Sequence, residues 1–217
     1  MKLFRRLATG AAVASFGIAP AAATLIDFDN TGCSSANGGT VCVIPQSYGD
    51  TGNVDVSTRA YNKATGQTVG TGLFSFGNGY GDLHGIVYGG TDVSHFVSEI
   101  TLTAKAGHKI SLTSFDFATY HNSSPKVPIT ILDLAGNVLM SATLGTGGAA
   151  HTSWSAATDF LDGIVIRWGP DGYNVGVDNI RYEVSDAPEV ATWAMMVGGF
   201  GLLGIGMRKR RGQPALV

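Results

Sequence analysis

Amphipathic helical patterning is nearly absent between residues 24 and 187 of this 217-residue chain, and so are the short strings that announce an enzyme. There is no H-E-x-x-H, no G-x-S-x-G and no Walker loop, which removes the corresponding zinc proteases, α/β-hydrolases and nucleotide hydrolases from consideration. Ser123-Ser-Pro-Lys126 spells S-x-x-K, but it lies in a loop without the companion motifs of penicillin-recognising enzymes. The five histidines are scattered singly. Only two cysteines occur, Cys33 and Cys42; two thiols with no histidine at zinc-finger spacing make a poor metal site. The threonines form no regular ladder of the kind a flat ice-binding surface requires.

The ends of the chain are more explicit. Lys2, Arg5 and Arg6 precede an apolar run from Leu7 to Pro20, followed by Ala21-Ala22-Ala23. Basic, apolar, then small residues is the layout of a secretory signal peptide, with cleavage after the Ala21-x-Ala23 site and before Thr24. Arg5-Arg6 lacks the surroundings of a twin-arginine signal, so ordinary secretion is expected. At the other end, Ala191 to Met207 is a seventeen-residue apolar span containing five glycines. As a helix it would reach about 26 Å, a little short of a ~30 Å hydrocarbon core. Arg208, Lys209, Arg210 and Arg211 follow it and are expected to stay cytoplasmic. A weak span of this kind suits a temporary stop in the inner membrane; a plain C-terminal anchor is the alternative.

Pro188-Glu189, Ala191-Thr192-Trp193-Ala194-Met195-Met196, Gly199-Phe200-Gly201-Leu202-Leu203-Gly204 and the Arg208–Arg211 cluster, in that order, resemble a PEP-CTERM sorting signal. The same tail is labelled in some collections as the C-terminal domain of ice-binding proteins. The resemblance covers residues 187–211 and implies recognition and processing by exosortase, a membrane transpeptidase-like enzyme, in a Gram-negative bacterium that makes exopolysaccharide. Pro188, Glu189 and Trp193 would carry the motif, and the basic cluster would fix its orientation. One position departs from the pattern: Val190 stands where the family has a second proline.

With the ends set aside, seven of the fourteen basic residues and fifteen of the sixteen acids remain, so the exported body carries a formal charge of −8. Nucleic-acid binding rests on neutralising phosphates and is not expected of such a body. In an oxidising compartment, Cys33 and Cys42 are expected to pair.

Within the body, short β-rich runs alternate with Gly, Asn, Asp and Ser: Thr24–Phe28, Val41–Ile44, Val54–Thr58, Phe96–Ala104, Lys109–Tyr120, Val127–Leu132, Val138–Leu144, Gly163–Trp168 and Val175–Val184. This density predicts an all-β sandwich or jelly roll, flanked by an N-terminal signal helix and a single C-terminal transmembrane helix. Asp133-Leu-Ala-Gly136-Asn137 predicts a hairpin turn, and the Gly-rich stretch 65–90 reads as long loops. Two strands change phase midway: Ile110 and Leu112 against Phe115 and Phe117, and Val175 and Val177 against Ile180, Tyr182 and Val184. A β-bulge keeps both halves on one face, and the second falls at Asp178-Asn179. The strings Leu112-Thr-Ser-Phe-Asp-Phe117 and Val177-Asp178-Asn179-Ile180-Arg181-Tyr182 also resemble the β-sandwich body that often accompanies this tail, an architecture sometimes shared with carbohydrate-binding modules. The chain therefore divides into a signal peptide at 1–23, an exported β-sandwich at 24–186, a sorting and transmembrane segment at 187–211 and a cytoplasmic end at 212–217.

Two binding chemistries remain open. Calcium takes six to eight oxygens; Asp27 and Asp29 lie at the first strand's end, Asp178 and Asn179 sit at the last strand's bulge, and first and last strands of a jelly roll often adjoin. The plainer reading is that these residues serve turns and the bulge. Sugar binding needs aromatic faces beside polar groups. Tyr120, Trp154, Trp168 and Tyr173 are available, with His121, Asn122, Asp171 and Asn174 close in sequence. Trp168 alternates with Arg167 and belongs to the core, whereas Tyr120 and Tyr173, beside loops, are the expected exposed contacts. The sequence thus points to an exported, non-catalytic surface or matrix protein that binds exopolysaccharide. Its expected partners are signal peptidase, an exosortase-like enzyme and, transiently, the inner membrane. The rival is a secreted polysaccharide hydrolase, which needs two carboxyl groups about 5 to 9.5 Å apart; fifteen acids nominate no particular pair.

Overall fold

The computed structural model describes residues 22–31, 41–69, 72–90, 95–121, 126–145, 149–186 and 197–200. Twelve strands are present among them: β1 Ala22–Ile26, β2 Cys42–Val43, β3 Val54–Asn62, β4 Phe74–Phe76, β5 Ile86–Tyr88, β6 Phe96–Ala104, β7 His108–Thr119, β8 Lys126–Asp133, β9 Val138–Gly145, β10 Thr152–Ser155, β11 Gly163–Trp168 and β12 Val175–Asp186. They form two antiparallel sheets. A seven-stranded sheet runs β10-β7-β12-β5-β4-β2 with β1 also paired to β12, and a five-stranded sheet runs β3-β6-β11-β8-β9. The all-β sandwich expected from the run density is what forms.

Alternation sends one face of each sheet inward. Val54, Val56, Ile100, Leu102, Ile129, Ile131, Ile164, Ile166 and Trp168 from the smaller sheet meet Ile110, Leu112, Phe115, Phe117, Val175, Val177, Ile180 and Tyr182 from the larger in one core. Trp168 is fully buried, and its indole Nε1 donates to the Val175 carbonyl at 3.0 Å, as an indole in a core must. On the outer face of the smaller sheet, Arg59, Glu99 and Arg167 lie in one cross-strand row, with both guanidinium groups donating to the buried Glu99 carboxylate.

The two phase changes resolve into a matched pair of bulges. Between the Asp178–Asp116 and Arg181–Ser114 pairs, β12 uses three residues to β7's two; between Arg181–Ser114 and Tyr182–Leu112, it uses one to β7's two. The two insertions compensate, so Ile110, Leu112, Phe115 and Phe117 are all fully buried, as are Val175, Val177, Ile180 and Tyr182. Asn179 takes the left-handed conformation at φ 51°, which asparagine tolerates better than most residues. The Asp133–Asn137 hairpin also forms between β8 and β9: Gly136 adopts φ 86°, and Asn137 N–H donates to the Asp133 carboxylate at 2.8 Å.

One expectation is corrected. The stretch 65–90 is not simply long loops, because it contains β4 and β5, which form a hairpin pair between β2 and β12. Three-residue strands are too short to display a period, and β5 is buried on every residue, so no polar alternation marks it. β10, Thr-Ser-Trp-Ser, is likewise a short strand without an apolar run to mark it. The signal helix and most of the C-terminal span fall outside the described residues. Of the latter, 197–200 are helical, and no described helix is long and apolar enough to cross a membrane.

Candidate aromatic binding site

The outward side of the larger sheet carries a second apolar cluster. On β5, Val87 joins the core while Ile86 and Tyr88 point away from it; on β7, Phe117 joins the core and Ala118 the outer cluster. On β4, Phe74 and Phe76 flank the buried Ser75 and pack on the outer cluster. These side chains stand side by side because β7, β12, β5 and β4 are consecutive in the sheet. Gly176 on β12 permits the packing: a Cβ there would come within 2.6 Å of Ile86 Cδ1.

Tyr80, Tyr120 and Tyr173 arrive from three loops. A β-bridge ties Tyr80 to Tyr120, and His121 N–H donates to the Gly79 carbonyl at 2.9 Å. Gly79 sits at φ 95°, where an added Cβ would press on the Tyr120 ring at 3.2 Å. The turn before β12 is closed by Asp171, whose two carboxylate oxygens accept the backbone N–H and the side-chain Nδ2 of Asn174, each at 3.2 Å. The Asn174 carbonyl in turn accepts Tyr120 N–H at 3.0 Å. The Tyr80 hydroxyl donates to the Tyr173 carbonyl at 2.6 Å.

The product is a half-open pocket of about 200 Å³ lined by Val41, Phe76, Tyr80, Tyr88, Tyr120 and Tyr173. Tyr80 and Tyr88 stack at 5.7 Å to form its floor, and Tyr120 leans on Tyr80 at 5.0 Å. Phe76 meets Tyr120 edge-on at 5.8 Å and Tyr173 meets Tyr88 edge-on at 5.6 Å. Burial pushes the Tyr80 hydroxyl far above the ordinary phenol range and that of Tyr88 up to about 12, with the neighbouring tyrosines adding to both. The floor therefore consists of neutral phenols at any physiological pH.

Both predicted sugar contacts, Tyr120 and Tyr173, thus lie in one pocket, half-buried rather than exposed. Trp154 does not join them: it lies on β10 against Phe115 at 5.4 Å. Phe76, Tyr80 and Tyr88 escaped the sequence reading because they sit in the stretch read as loops. Their signal was the concentration of Phe74, Phe76, Tyr80 and Tyr88 within fifteen residues.

The four candidate calcium residues are also drawn together. β1 pairs antiparallel with β12, with Ile26 opposite Ile180. Phe28 N–H donates to Asp178 Oδ1 at 3.1 Å, and the Tyr48 hydroxyl donates to the Asp27 carbonyl at 2.7 Å. Burial raises Asp178 to about 6; hydrogen bonds from the Asn179 and Phe28 backbones oppose this, and the charges of Asp29 and Asp27 add to it. Among the described residues, no group of three or more His, Cys, Asp or Glu is arranged to hold a metal ion.

Of the remaining sequence candidates, Ala23 pairs with Glu183 in β1, and Cys42 opens β2 and is not a free thiol. Ala21, Cys33, Pro188, Glu189, Trp193, Arg208, Lys209, Arg210 and Arg211 lie outside the described residues.

No protein-family model matches the chain, and no curated protein matches it. Among solved structures, the chain is similar to the GH26-CBM35 β-(1,4)-mannanase of Podospora anserina at 18% identity and TM-score 0.35, over 61% of this chain and 29% of the mannanase. It is similar to a variant of CBM29-2, a family 29 carbohydrate binding module, at 14% identity and TM-score 0.35, over 76% of this chain and 93% of that one. It is similar to CBM4 at 16% identity and TM-score 0.31, over 75% and 97% of the two chains. The chain thus spans less than a third of the mannanase's length and nearly all of the two modules.

Proposed function

We propose that this chain is an exported, non-catalytic glycan-binding protein that holds exopolysaccharide at the bacterial surface, with the aromatic pocket as its binding site. The observation that carries the reading is the convergence of Phe76, Tyr80, Tyr88, Tyr120 and Tyr173 from separate elements onto one accessible cavity. Accessible concavities that combine aromatic faces with a few polar groups usually serve ligands. The topology supports the same reading. β1 begins and β12 ends at one end of the sandwich, where Thr24, the first residue after the proposed cleavage, faces Tyr182 and Asp186 faces His108. Tyr120 follows the far end of β7, and Tyr173 precedes the start of β12. At ~3.3 Å per residue, twelve-residue strands put the pocket about 35 Å from the end where the sorting tail leaves. A body tethered by that tail would present its pocket outward.

The hydrolase alternative requires two accessible carboxyl groups. Asp116 and Asp178 do face one another in register, but both are buried. Asp116 accepts the Ser153 hydroxyl at 2.5 Å and Asp178 the Phe28 N–H, which are structural roles.

The test is retention on the producing organism's exopolysaccharide, measured by affinity electrophoresis. Tyr120→Ala and Tyr173→Ala should each weaken retention roughly tenfold, as the loss of a stacking aromatic does, with circular dichroism showing the β fold intact. Unchanged retention in both would sink the reading. Export, tail processing and pairing of Cys33 with Cys42 belong to the same proposal. Intact mass from hosts with and without exosortase reads all three, as loss of residues 1–23, an enzyme-dependent cut near Pro188 to Val190, and two missing hydrogens.

A further inference from the structure

We propose that the sugar taken by the aromatic pocket is an amino sugar bearing a free, protonated amine, so that the recognised polymer is a hexosamine polysaccharide lacking N-acetyl groups at the bound residue. The inference rests on the glycan-binding reading above and names its ligand class.

The lining carries it first. Among the described residues, five aromatic rings and Val41 line the cavity, with no guanidinium, ammonium, carboxylate or carboxamide. The polar groups of the lining are tyrosine hydroxyls, of which that of Tyr80 is already committed to the Tyr173 carbonyl; a phenol oxygen accepts from an ammonium as readily as from a sugar hydroxyl. Beside those hydroxyls the pocket offers ring faces. These carry negative potential, which attracts a cation and repels an anion. The edge-on pairs Phe76–Tyr120 at 75° and Tyr88–Tyr173 at 84° set neighbouring walls at nearly right angles, so a compact cation can meet more than one ring.

Charge and size agree. The exported body carries −8, which repels uronic acids and sulfated sugars and steers cations inward. Asp171, held by Asn174 in the turn that positions Tyr173, places a carboxylate beside this cluster without entering the cavity. A volume of about 200 Å³ is below the ~300 Å³ at which drug-sized sites begin, and suits a single ring. N-acetylation would remove the charge and add bulk in the same stroke.

The experiment titrates the full-length protein with three β-1,4-linked hexamers by calorimetry at pH 6: glucosamine, N-acetylglucosamine and glucose. The glucosamine hexamer is expected to bind roughly tenfold more tightly than the other two, the range of a partly desolvated cation–π contact. Its advantage should shrink in 0.5 M salt, where charge steering is screened to within ~5 Å. Phe76→Leu, which keeps an apolar wall and removes a ring face, should reduce that preference while circular dichroism shows the β fold intact. Equal or tighter binding of the glucose or N-acetylglucosamine hexamer overturns the amino-sugar assignment and leaves the glycan reading standing. No binding of any hexamer also overturns the assignment; only if Tyr120→Ala and Tyr173→Ala leave exopolysaccharide retention unchanged does the glycan reading fall with it.

Discussion

Asp178 shows how one side chain can carry a pH response. Burial is the largest influence on it, and its carboxyl reaches about 6, above the ~3.9 of an unfolded aspartate. Between those values the folded chain holds a proton that the unfolded chain has released, so the contribution of this group to stability is greatest below about pH 4 and falls as pH rises toward 6. The loss amounts to at most about 3 kcal/mol and persists above that window. Asp178→Asn keeps an oxygen for the Phe28 N–H and removes the charge. We expect it to be more stable than the parent at pH 7 by about 1–2 kcal/mol, with no such gain at pH 4. Urea midpoints at the two pH values read the difference, and a parent that is equally or more stable at pH 7 refutes it. The same titration addresses calcium. If Asp27, Asp29, Asp178 and Asn179 hold the ion, millimolar calcium should raise the parent's midpoint at pH 7 and leave that of Asp178→Asn unmoved.

Strand by strand, legibility followed length and one-sided burial. β3 reads as alternating buried and exposed residues from Val54 to Ala60, and β6 and β11 have the bounds their apolar runs suggested. The bulges were legible because a phase change in a long strand has few physical solutions. β4 and β5 were not, since three residues are too few to establish a period, and β5 is in addition buried on both sides. The bulge at Asn179 makes its own prediction. At φ 51° a β-branched residue is strained, so Asn179→Val should cost about 1–3 kcal/mol, whereas Asn179→Gly should be nearly neutral. Thermal denaturation of the two variants measures this; equal stability would mean that the left-handed conformation is not required there. In the pocket, Tyr120 and Tyr173 were visible from the sequence through their loop positions. Phe76, Tyr80 and Tyr88 were hidden with the hairpin that carries them.

For the molecule as a whole, closure depends on its last strand. β12 pairs with β7, β5 and β1, and the Phe28 to Asp178 bond spans 150 positions. Contacts of that range form late and cooperatively. A chain ending at Asn174 loses the strand on which three others rely, and should show no protease-resistant body under conditions where the full chain does; a resistant fragment would mean that the smaller sheet folds alone. Residue order alone carried the class of fold, its phase slips, the acidity of the body and the expectation of export and sorting. Each is written in residue type and local period, which need no knowledge of neighbours. Packing across the sandwich was needed to bring Tyr120 and Tyr173 into a cavity with Phe76, Tyr80 and Tyr88, to set Asp27 and Asp29 near Asp178, and to place the pocket opposite the end where β1 begins and β12 finishes. Those facts depend on strand order, and strand order is fixed by which apolar faces bury one another across the sandwich rather than by any local signal.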